Sequence, residues 1–123
     1  MTLNIRGVIV SGTREASRYV EEYGLEFEKL LGVKPYPGTL NIKLDKCLEE
    51  IIGGFKPLII PPPKPGLGVV YAYRGFLRGI RVLVVKPALT RHDCRVLEVV
   101  SGVKLREVLG LSDGDVVEIE LSE

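Results

Sequence analysis

Short hydrophobic stretches separated by turn residues run along most of the chain, and this pattern predicts strands more often than helices. Helical spacing occurs in two places, Glu21–Leu31, which Gly32 follows as a C-cap, and Lys104–Leu109. A turn at Arg74-Gly75 is expected to separate two strands of a hairpin or meander. The predicted strands are Ile5–Val10, Thr39–Leu44, Gly68–Tyr73, Phe76–Lys86, Cys94–Val100 and Asp115–Leu121.

These elements predict a mainly β chain, folded as a small six-stranded barrel that is closed or nearly closed, with one or two short helices. Five prolines between positions 57 and 65 exclude a central strand or a helix there, so this segment is expected to be an edge or a covering loop. Because the sequence contains no repeat and no low-complexity linker, residues 1–123 are interpreted as one domain.

The charge balance narrows the possible ligands. Seventeen basic and sixteen acidic residues leave a formal charge of +1. A protein whose affinity comes mainly from a broad polyanion-binding face shows a clear basic excess, so the near-zero charge argues against that class, and nucleic acid is not expected as a partner. Any anion that binds must be met locally, by a few groups.

Three further features bear on location and metal chemistry. No apolar run approaches the roughly 18 residues that span a bilayer, and the start MTLNIRG lacks the features of a signal peptide, so a cytoplasmic protein without membrane contact is expected. Cys47 and Cys94 lie in unrelated surroundings and His92 is the only histidine, which favours two unpaired thiols over a disulfide or a zinc site. A bound metal would then be a hard ion on oxygen ligands.

The segment from Lys34 to Asn41, KPYPGTLN, is the most informative stretch. Side chains alternate across a strand, so Thr39 and Asn41 point to the same face. A hydroxyl and an amide oxygen side by side are suitable ligands for Mg²⁺, which is typically held by few protein oxygens together with phosphates and water. The alternative is that these residues form the polar outer face of an ordinary strand.

The segments GVIVSG, PYPGTLNIKL and KLREVLGLSDGDVVEIEL, with a T-x-H-x5-E stretch between the last two, resemble the archaeal CTP-dependent riboflavin kinase family over nearly the whole chain. This resemblance implies a cradle-loop (RIFT-like) barrel that transfers the terminal phosphate of CTP to the ribityl 5′-hydroxyl of riboflavin, giving FMN. It also implies that Thr39 and Asn41 are the Mg²⁺ ligands and that Thr90 and Glu98 contact the flavin. For Glu98, the alternative is a solvent-facing glutamate.

By the same resemblance, two segments contact the nucleotide. The first is a loop that is rich in glycine in the family; here Gly12 and Glu15 fit the pattern, whereas Arg14 and Ala16 stand where glycines are expected. The alternatives are a charged surface turn for the first segment and an ordinary amphipathic helix for the second. The nucleotide-binding residues expected from the resemblance are Gly12, Thr13, Arg14, Glu15, Ala16, Ser17, Val103, Lys104, Leu105 and Arg106.

The function expected from the sequence is therefore a Mg²⁺-dependent riboflavin kinase that uses CTP or another nucleoside triphosphate and acts as a monomer. No general base is evident, and a loose transition state makes a strong one less necessary. His92 and the turn Asp113-Gly114-Asp115 are interpreted as structural. The alternative function is a non-catalytic small barrel that binds flavin or nucleic acid.

Overall fold

A computed structural model describes residues 2–12, 16–88 and 93–123, and for Ala16 and Ser17 the backbone alone. Seven strands and four short helices follow one another in these ranges. The strands are β1 (Thr2–Val10), β2 (Leu40–Lys43), β3 (Leu58–Ile60), β4 (Val70–Leu77), β5 (Ile80–Pro87), β6 (Val96–Ser101) and β7 (Val116–Ser122). The helices are α1 (Ala16–Glu22), α2 (Gly24–Leu31), α3 (Leu48–Ile52) and α4 (Leu105–Val108).

The strands form one antiparallel sheet in the order β3-β4-β5-β6-β2-β1-β7. Pairing of β4 with β7, from Gly75↔Leu121 to Leu77↔Ile119, closes six of them into a barrel. The short β3 pairs with the other half of the same β4 edge, so it lies outside the closed barrel. The predicted six-stranded barrel is therefore confirmed, and the proline-rich segment contributes an edge strand.

The barrel wall is buried on both sides in one region. Alternate residues of β5 point inward, where Val82 and Val84 join a core to which all six barrel strands contribute. The residues between them, Leu83 and Val85, point outward and are equally buried, because α1 and α2 cover this part of the wall with a second apolar cluster around Phe27. Elsewhere α1 and α2 do not cover the outer face. The candidate site lies at the boundary between the covered and the uncovered part of the wall.

The hairpin turn differs from the prediction. β4 runs straight through Arg74-Gly75, and the chain turns at Arg78-Gly79, where both residues have positive φ. Gly75 serves a different purpose, since a Cβ atom there would come within 2.6 Å of the Glu120 backbone oxygen on β7. A glycine in a strand often marks such a close approach, and here it allows the barrel to close.

The helices also differ from the prediction. The expected helix Glu21–Leu31 begins earlier, at Ala16, and is interrupted at Tyr23, whose hydroxyl donates a 2.5 Å hydrogen bond to the Gly68 carbonyl oxygen. Gly32 caps α2 as predicted, with φ of 79° and its N–H bonded to the Glu28 carbonyl. The five-residue helix α3 was not predicted, because so short an element carries little periodic signal.

The expectation of two unpaired thiols is wrong. Cys47 and Cys94 form a disulfide whose Cα atoms are 4.8 Å apart, across 47 positions of sequence. Cys47 immediately precedes α3 and Cys94 precedes β6, and the N–H of Leu48 donates to the Cys94 carbonyl at 3.1 Å. Sequence spacing showed no relation between the cysteines because the fold brings two distant loops together. None of the helices in the described ranges is long and apolar enough to cross a membrane.

Candidate functional site

The site is built on the outer face of the barrel wall, where β2 and β6 pair. Leu40 and Ile42 point into the barrel core, so Thr39 and Asn41 project to the outside. Asn41 lies opposite Glu98 in the β2–β6 ladder, and the Thr39 hydroxyl donates to a Glu98 carboxylate oxygen at 3.4 Å. The structure thus brings the two predicted metal ligands together with one predicted flavin contact.

Gly12 lies directly against Asn41. Val10 pairs with Asn41 across the β1–β2 ladder, and Gly12, two positions further along, lies against the asparagine side chain. A Cβ atom at position 12 would overlap the Asn41 amide nitrogen and come within 2.7 Å of its Cγ. Asn41 is only 8% exposed, so its side chain has little room to move away. The predicted nucleotide loop therefore begins in contact with a predicted metal ligand.

A second group of side chains holds the end of β1; we call Ser11, Arg106 and Asp113 the Asp113 cluster. The Ser11 hydroxyl donates to one carboxylate oxygen of Asp113. The Arg106 guanidinium donates to the other at 2.5 Å and to the Val10 carbonyl at 3.1 Å. These contacts, the Ser11 bond first and the Arg106 bond next, hold the pKa of the Asp113 carboxyl below its usual range. Arg106 is therefore engaged with the protein itself.

The other predicted residues of the second nucleotide segment are placed differently. Leu105 is buried in the barrel core, whereas Lys104 is exposed and Val103 is 39% exposed. The loop before β2 packs beside this segment, because the N–H of Tyr36 donates to the Ser101 carbonyl at 2.7 Å. A ligand at this segment would therefore meet the backbone and the Lys104 side chain, and Leu105 would serve the core.

On the other side of Glu98 lies a cavity of about 400 Å³, which we call the Glu98 cavity. Its size falls in the range of small-molecule sites. Lys86 forms an ion pair with Glu49 of α3, and burial lowers the pKa of its ammonium group. The cavity combines apolar walls with a few polar groups, as small-molecule sites do. Its lining comprises Tyr71, Val85, Lys86, Pro87, Ala88, Asp93, Cys94, Val96 and Glu98.

Two contacts hold the far wall of the Glu98 cavity. The disulfide ties Cys94 to the start of α3. Asp93 accepts hydrogen bonds from the Arg95 backbone N–H at 2.9 Å and from its guanidinium at 3.0 Å. These bonds, with the side-chain contribution largest, lower the pKa of Asp93 from 3.8 to about 2. The disulfide therefore ties the segment that enters β6 to α3, whereas the Asp93–Arg95 bonds order that segment locally.

Tyr19 lies near enough to Glu98 to be affected by its charge, and the sequence did not indicate it. Its ring packs against Tyr23 and Phe27, with centroids 5.1 and 5.8 Å away. Among the described residues its hydroxyl is buried without a hydrogen-bond partner. Burial first, and then the charge of Glu98, raises the pKa of this hydroxyl. Tyr19 follows the predicted nucleotide loop by two positions, but no motif includes it, and an aromatic residue on a helix is ordinarily a core residue.

Several predicted residues are not placed. Thr13, Arg14, Glu15 and Thr90 lie outside the described residues, as does His92. Ala16 and Ser17, the last two residues of the predicted loop, belong to the first turn of α1.

The donor chemistry at Thr39 and Asn41 fits a magnesium ion. A hydroxyl and a side-chain amide are hard oxygen donors on one face, with the Glu98 carboxylate beside them. Within residues 2–12, 16–88 and 93–123, no three residues of the types His, Cys, Asp and Glu are grouped as a metal cage. A metal bound here would therefore keep positions open for phosphate and water.

Comparison with known proteins agrees with the resemblance noted in the sequence. A family model named for CTP-dependent riboflavin kinase, and described as domain of unknown function DUF120, matches residues 9–121. A protein of Staphylothermus marinus named riboflavin kinase is 45% identical over 97% of this chain and 92% of its own length. Riboflavin kinases of Pyrobaculum arsenaticum and Thermococcus kodakarensis are 42% and 41% identical, and the chain spans 61% and 58% of their lengths. This chain thus belongs to the archaeal CTP-dependent riboflavin kinase family.

Proposed function

We propose that this chain is a riboflavin kinase that transfers the terminal phosphate of CTP to the 5′-hydroxyl of riboflavin, with Mg²⁺ held by Thr39 and Asn41. The names of its family and relatives support the reaction. The observation that carries the proposal is that residues predicted to bind the nucleotide, the metal and the flavin lie together where β2 and β6 pair. Gly12 from the nucleotide loop, the two oxygen donors of β2 and Glu98 of β6 meet on the outer wall.

The arrangement supports separate binding regions for the two substrates on either side of Asn41. On one side, the loop that begins at Gly12 would hold the phosphate chain, with the Val103–Arg106 segment holding the nucleoside. On the other side, the Glu98 cavity would receive the flavin ring, and the Glu98 carboxylate would accept a hydrogen bond from the ring edge or a ribityl hydroxyl. The two substrates then meet at β2, where the 5′-hydroxyl lies in line with the terminal phosphate.

In the reaction, the 5′-oxygen forms a bond to the terminal phosphorus, the bond from that phosphorus to the β-phosphate oxygen breaks, and the hydroxyl proton leaves to solvent. Phosphoryl transfer depends mainly on positioning and neutralisation of charge, which a small set of fixed groups supplies. Bound Mg²⁺ would neutralise charge on the phosphate oxygens. A chain with a formal charge of only +1 could bind a triphosphate in this way, because the metal would supply positive charge locally and no broad basic face is needed.

The deciding experiment is an assay of FMN formation with CTP, ATP, GTP or UTP as donor, with and without Mg²⁺. We expect turnover with CTP that is abolished by chelation of the metal. Thr39→Ala combined with Asn41→Ala should lower the rate by at least a hundredfold, because both protein ligands are lost. Lys43→Ala is the matched control, since Lys43 lies further along the same face of β2 and should leave the rate unchanged.

Two results contradict the proposal. Riboflavin binding without phosphorylation by any of the four donors would favour a non-catalytic flavin-binding barrel. FMN formation that persists in the double variant, or after chelation, would remove Thr39 and Asn41 as metal ligands while leaving the kinase activity in place.

A further inference from the structure

The turn that precedes the last strand does more than reverse the chain. Asp113 lies 102 positions from Ser11, and its two carboxylate oxygens are used separately, one by the Ser11 hydroxyl and one by the Arg106 guanidinium. We propose that Asp113 is a positioning residue for the nucleotide, which holds the start of the phosphate loop and the start of α4 in one fixed arrangement. This inference rests on the proposed kinase function.

Backbone contacts around Asp113 show that the turn and the end of β1 form one unit. The N–H of Gly114 donates to the Ile9 carbonyl at 2.8 Å, and the N–H of Ile9 donates to the Asp115 carbonyl at 2.8 Å. Arg106 adds a bond to the Val10 carbonyl, which is the next residue along β1. The strand end that leads into Gly12 is thus held from two directions.

The connection continues to the predicted metal ligand. Ser11 precedes Gly12, and Gly12 has no space between its backbone and the Asn41 amide. A shift of Ser11 therefore moves Gly12 relative to Asn41, or moves Asn41 itself. A displacement of about 1 Å in a positioning contact can lower a rate by about a hundredfold. Asp113 reaches the site through these two residues without touching the phosphates.

The geometry also gives Arg106 a different role from a simple phosphate ligand. One terminal nitrogen, Nη2, makes both protein contacts, to Val10 and to Asp113. A carboxylate that only balanced the charge of Arg106 would weaken the attraction of Arg106 for a triphosphate. Removing that carboxylate would then strengthen nucleotide binding, whereas removing a positioning group weakens it. The two roles therefore predict opposite changes in the affinity for CTP when the Asp113 carboxylate is removed.

The test compares Asp113→Asn with the wild type in steady-state kinetics and in CTP titrations followed by calorimetry. We expect Asp113→Asn to raise the KM for CTP about tenfold, a typical effect of losing a hydrogen bond to a charged group. The KM for riboflavin should change less than twofold, because the Glu98 cavity lies on the opposite side of Asn41. Ser11→Ala, which removes one bond only, should raise the KM for CTP about threefold.

Two further variants separate positioning from a structural role. The double variant Ser11→Ala with Asp113→Asn should have the same KM for CTP as Asp113→Asn alone, since Ser11 acts through its hydrogen bond to Asp113. Asp115→Asn is the matched control, because Asp115 belongs to the same turn and its side chain bonds only to the Ser112 N–H among the described contacts. It should leave both KM values unchanged.

The outcomes are distinct. Tighter CTP binding in Asp113→Asn, or an unchanged KM for CTP, overturns the inference while the kinase function stands. Equal increases in the KM for CTP and for riboflavin indicate a general structural role and also overturn it. If Asp113→Asn does not fold, Ser11→Ala alone decides, since it leaves the Arg106 contact in place. A wild-type protein that neither binds CTP nor forms FMN contradicts the proposed function itself.

Discussion

The two sides of the candidate site, which we call the nucleotide side and the flavin side after the substrates proposed for them, are held in place by different kinds of bond. On the nucleotide side, the Asp113 cluster connects β1, α4 and the last turn through hydrogen bonds and one ion pair. On the flavin side, a covalent bond between Cys47 and Cys94 holds the wall of the Glu98 cavity, and the Lys86–Glu49 ion pair adds a second connection to α3.

This difference corresponds to what each side is expected to bind. A triphosphate is recognised by directional polar groups, so a small displacement of the loop matters and the hydrogen-bonded cluster provides the alignment. A flavin ring requires a cavity of constant shape, which a crosslink preserves without using polar groups that face the ligand. The two sides should therefore respond to different perturbations, one to the side chains of the cluster and the other to reductant.

The largest expected effect is on the covalent side. The double variant Cys47→Ser with Cys94→Ser, or reduction by a dithiol, removes a crosslink that spans 47 positions. Loss of that constraint should lower the free energy of unfolding by about 4 kcal/mol in the chain-entropy model. Urea denaturation with and without dithiol measures this change. The KM for riboflavin should increase more than the KM for CTP.

The serine double variant is its own control, because it should not respond to the dithiol. A wild-type denaturation midpoint that is the same with and without dithiol would show that the crosslink does not contribute to stability. A KM for CTP that increases as much as that for riboflavin would show that the two sides are not held independently.

A smaller effect, confined to the nucleotide side, is expected from Gly12→Ala. The new Cβ atom would overlap the Asn41 side chain, which is buried, so either the loop or the asparagine must move. We expect turnover with CTP to fall about a hundredfold, with riboflavin binding retained. Fluorescence titration of riboflavin and the kinase assay measure the two effects separately.

Gly24→Ala is the control for this variant, because no atom lies within 4 Å of a Cβ atom at Gly24. It should leave turnover unchanged. Gly12→Ala with more than a third of wild-type turnover would mean that the approach of Gly12 to Asn41 is not required for the reaction.

The smallest expected effect is on the free energy of unfolding at acid pH. There one carboxylate from each side of the site can be compared. The folded state lowers the pKa of Asp93 from 3.8 to about 2, through Arg95, and lowers the pKa of Asp113, through Ser11 and Arg106. A lowered carboxyl pKa means that the charged form stabilises the fold. That stabilisation is complete above about pH 4 and is lost as the pH falls toward 2.

Urea denaturation between pH 7 and pH 2 tests this expectation with Asp93→Asn and Asp113→Asn. Each variant should show a weaker dependence of unfolding free energy on pH than the wild type below pH 4. Because both carboxylates are exposed, each change should be small. A slope identical to that of the wild type in both variants would contradict the assigned interactions.

Much of the barrel could be predicted from the sequence, because a strand with one face in the core shows alternation along its own length. The strands that became β2 and β7 were predicted in this way, and Thr39 and Asn41 were assigned to a common face. The β4–β5 turn was placed wrongly, at Arg74-Gly75, because a glycine signals either a turn or a close approach. Which of the two applies at Gly75 depends on β7, which is distant in sequence.

The candidate site was only partly predictable for the same reason. The motif at Thr39 and the resemblance to a family led to the proposed metal ligands and to Glu98 as a proposed flavin contact. The buried hydroxyl of Tyr19 and the role of Asp113 had no local signal, since a DGD turn looks alike whether or not its carboxylate binds another segment. Two unpaired thiols were predicted where the structure has a disulfide, because nothing near either cysteine indicates a partner 47 positions away.

By itself, the sequence determined which residues alternate, where most strands lie, and that one strand presents a hydroxyl and an amide to the same side. Those properties depend on neighbours along the chain. Only the tertiary structure decided that the candidate residues meet on the outer wall of the barrel, that Gly12 lies against Asn41, and that Asp113 joins Ser11 to Arg106. These contacts depend on strand register and barrel closure, which bring together residues up to 102 positions apart.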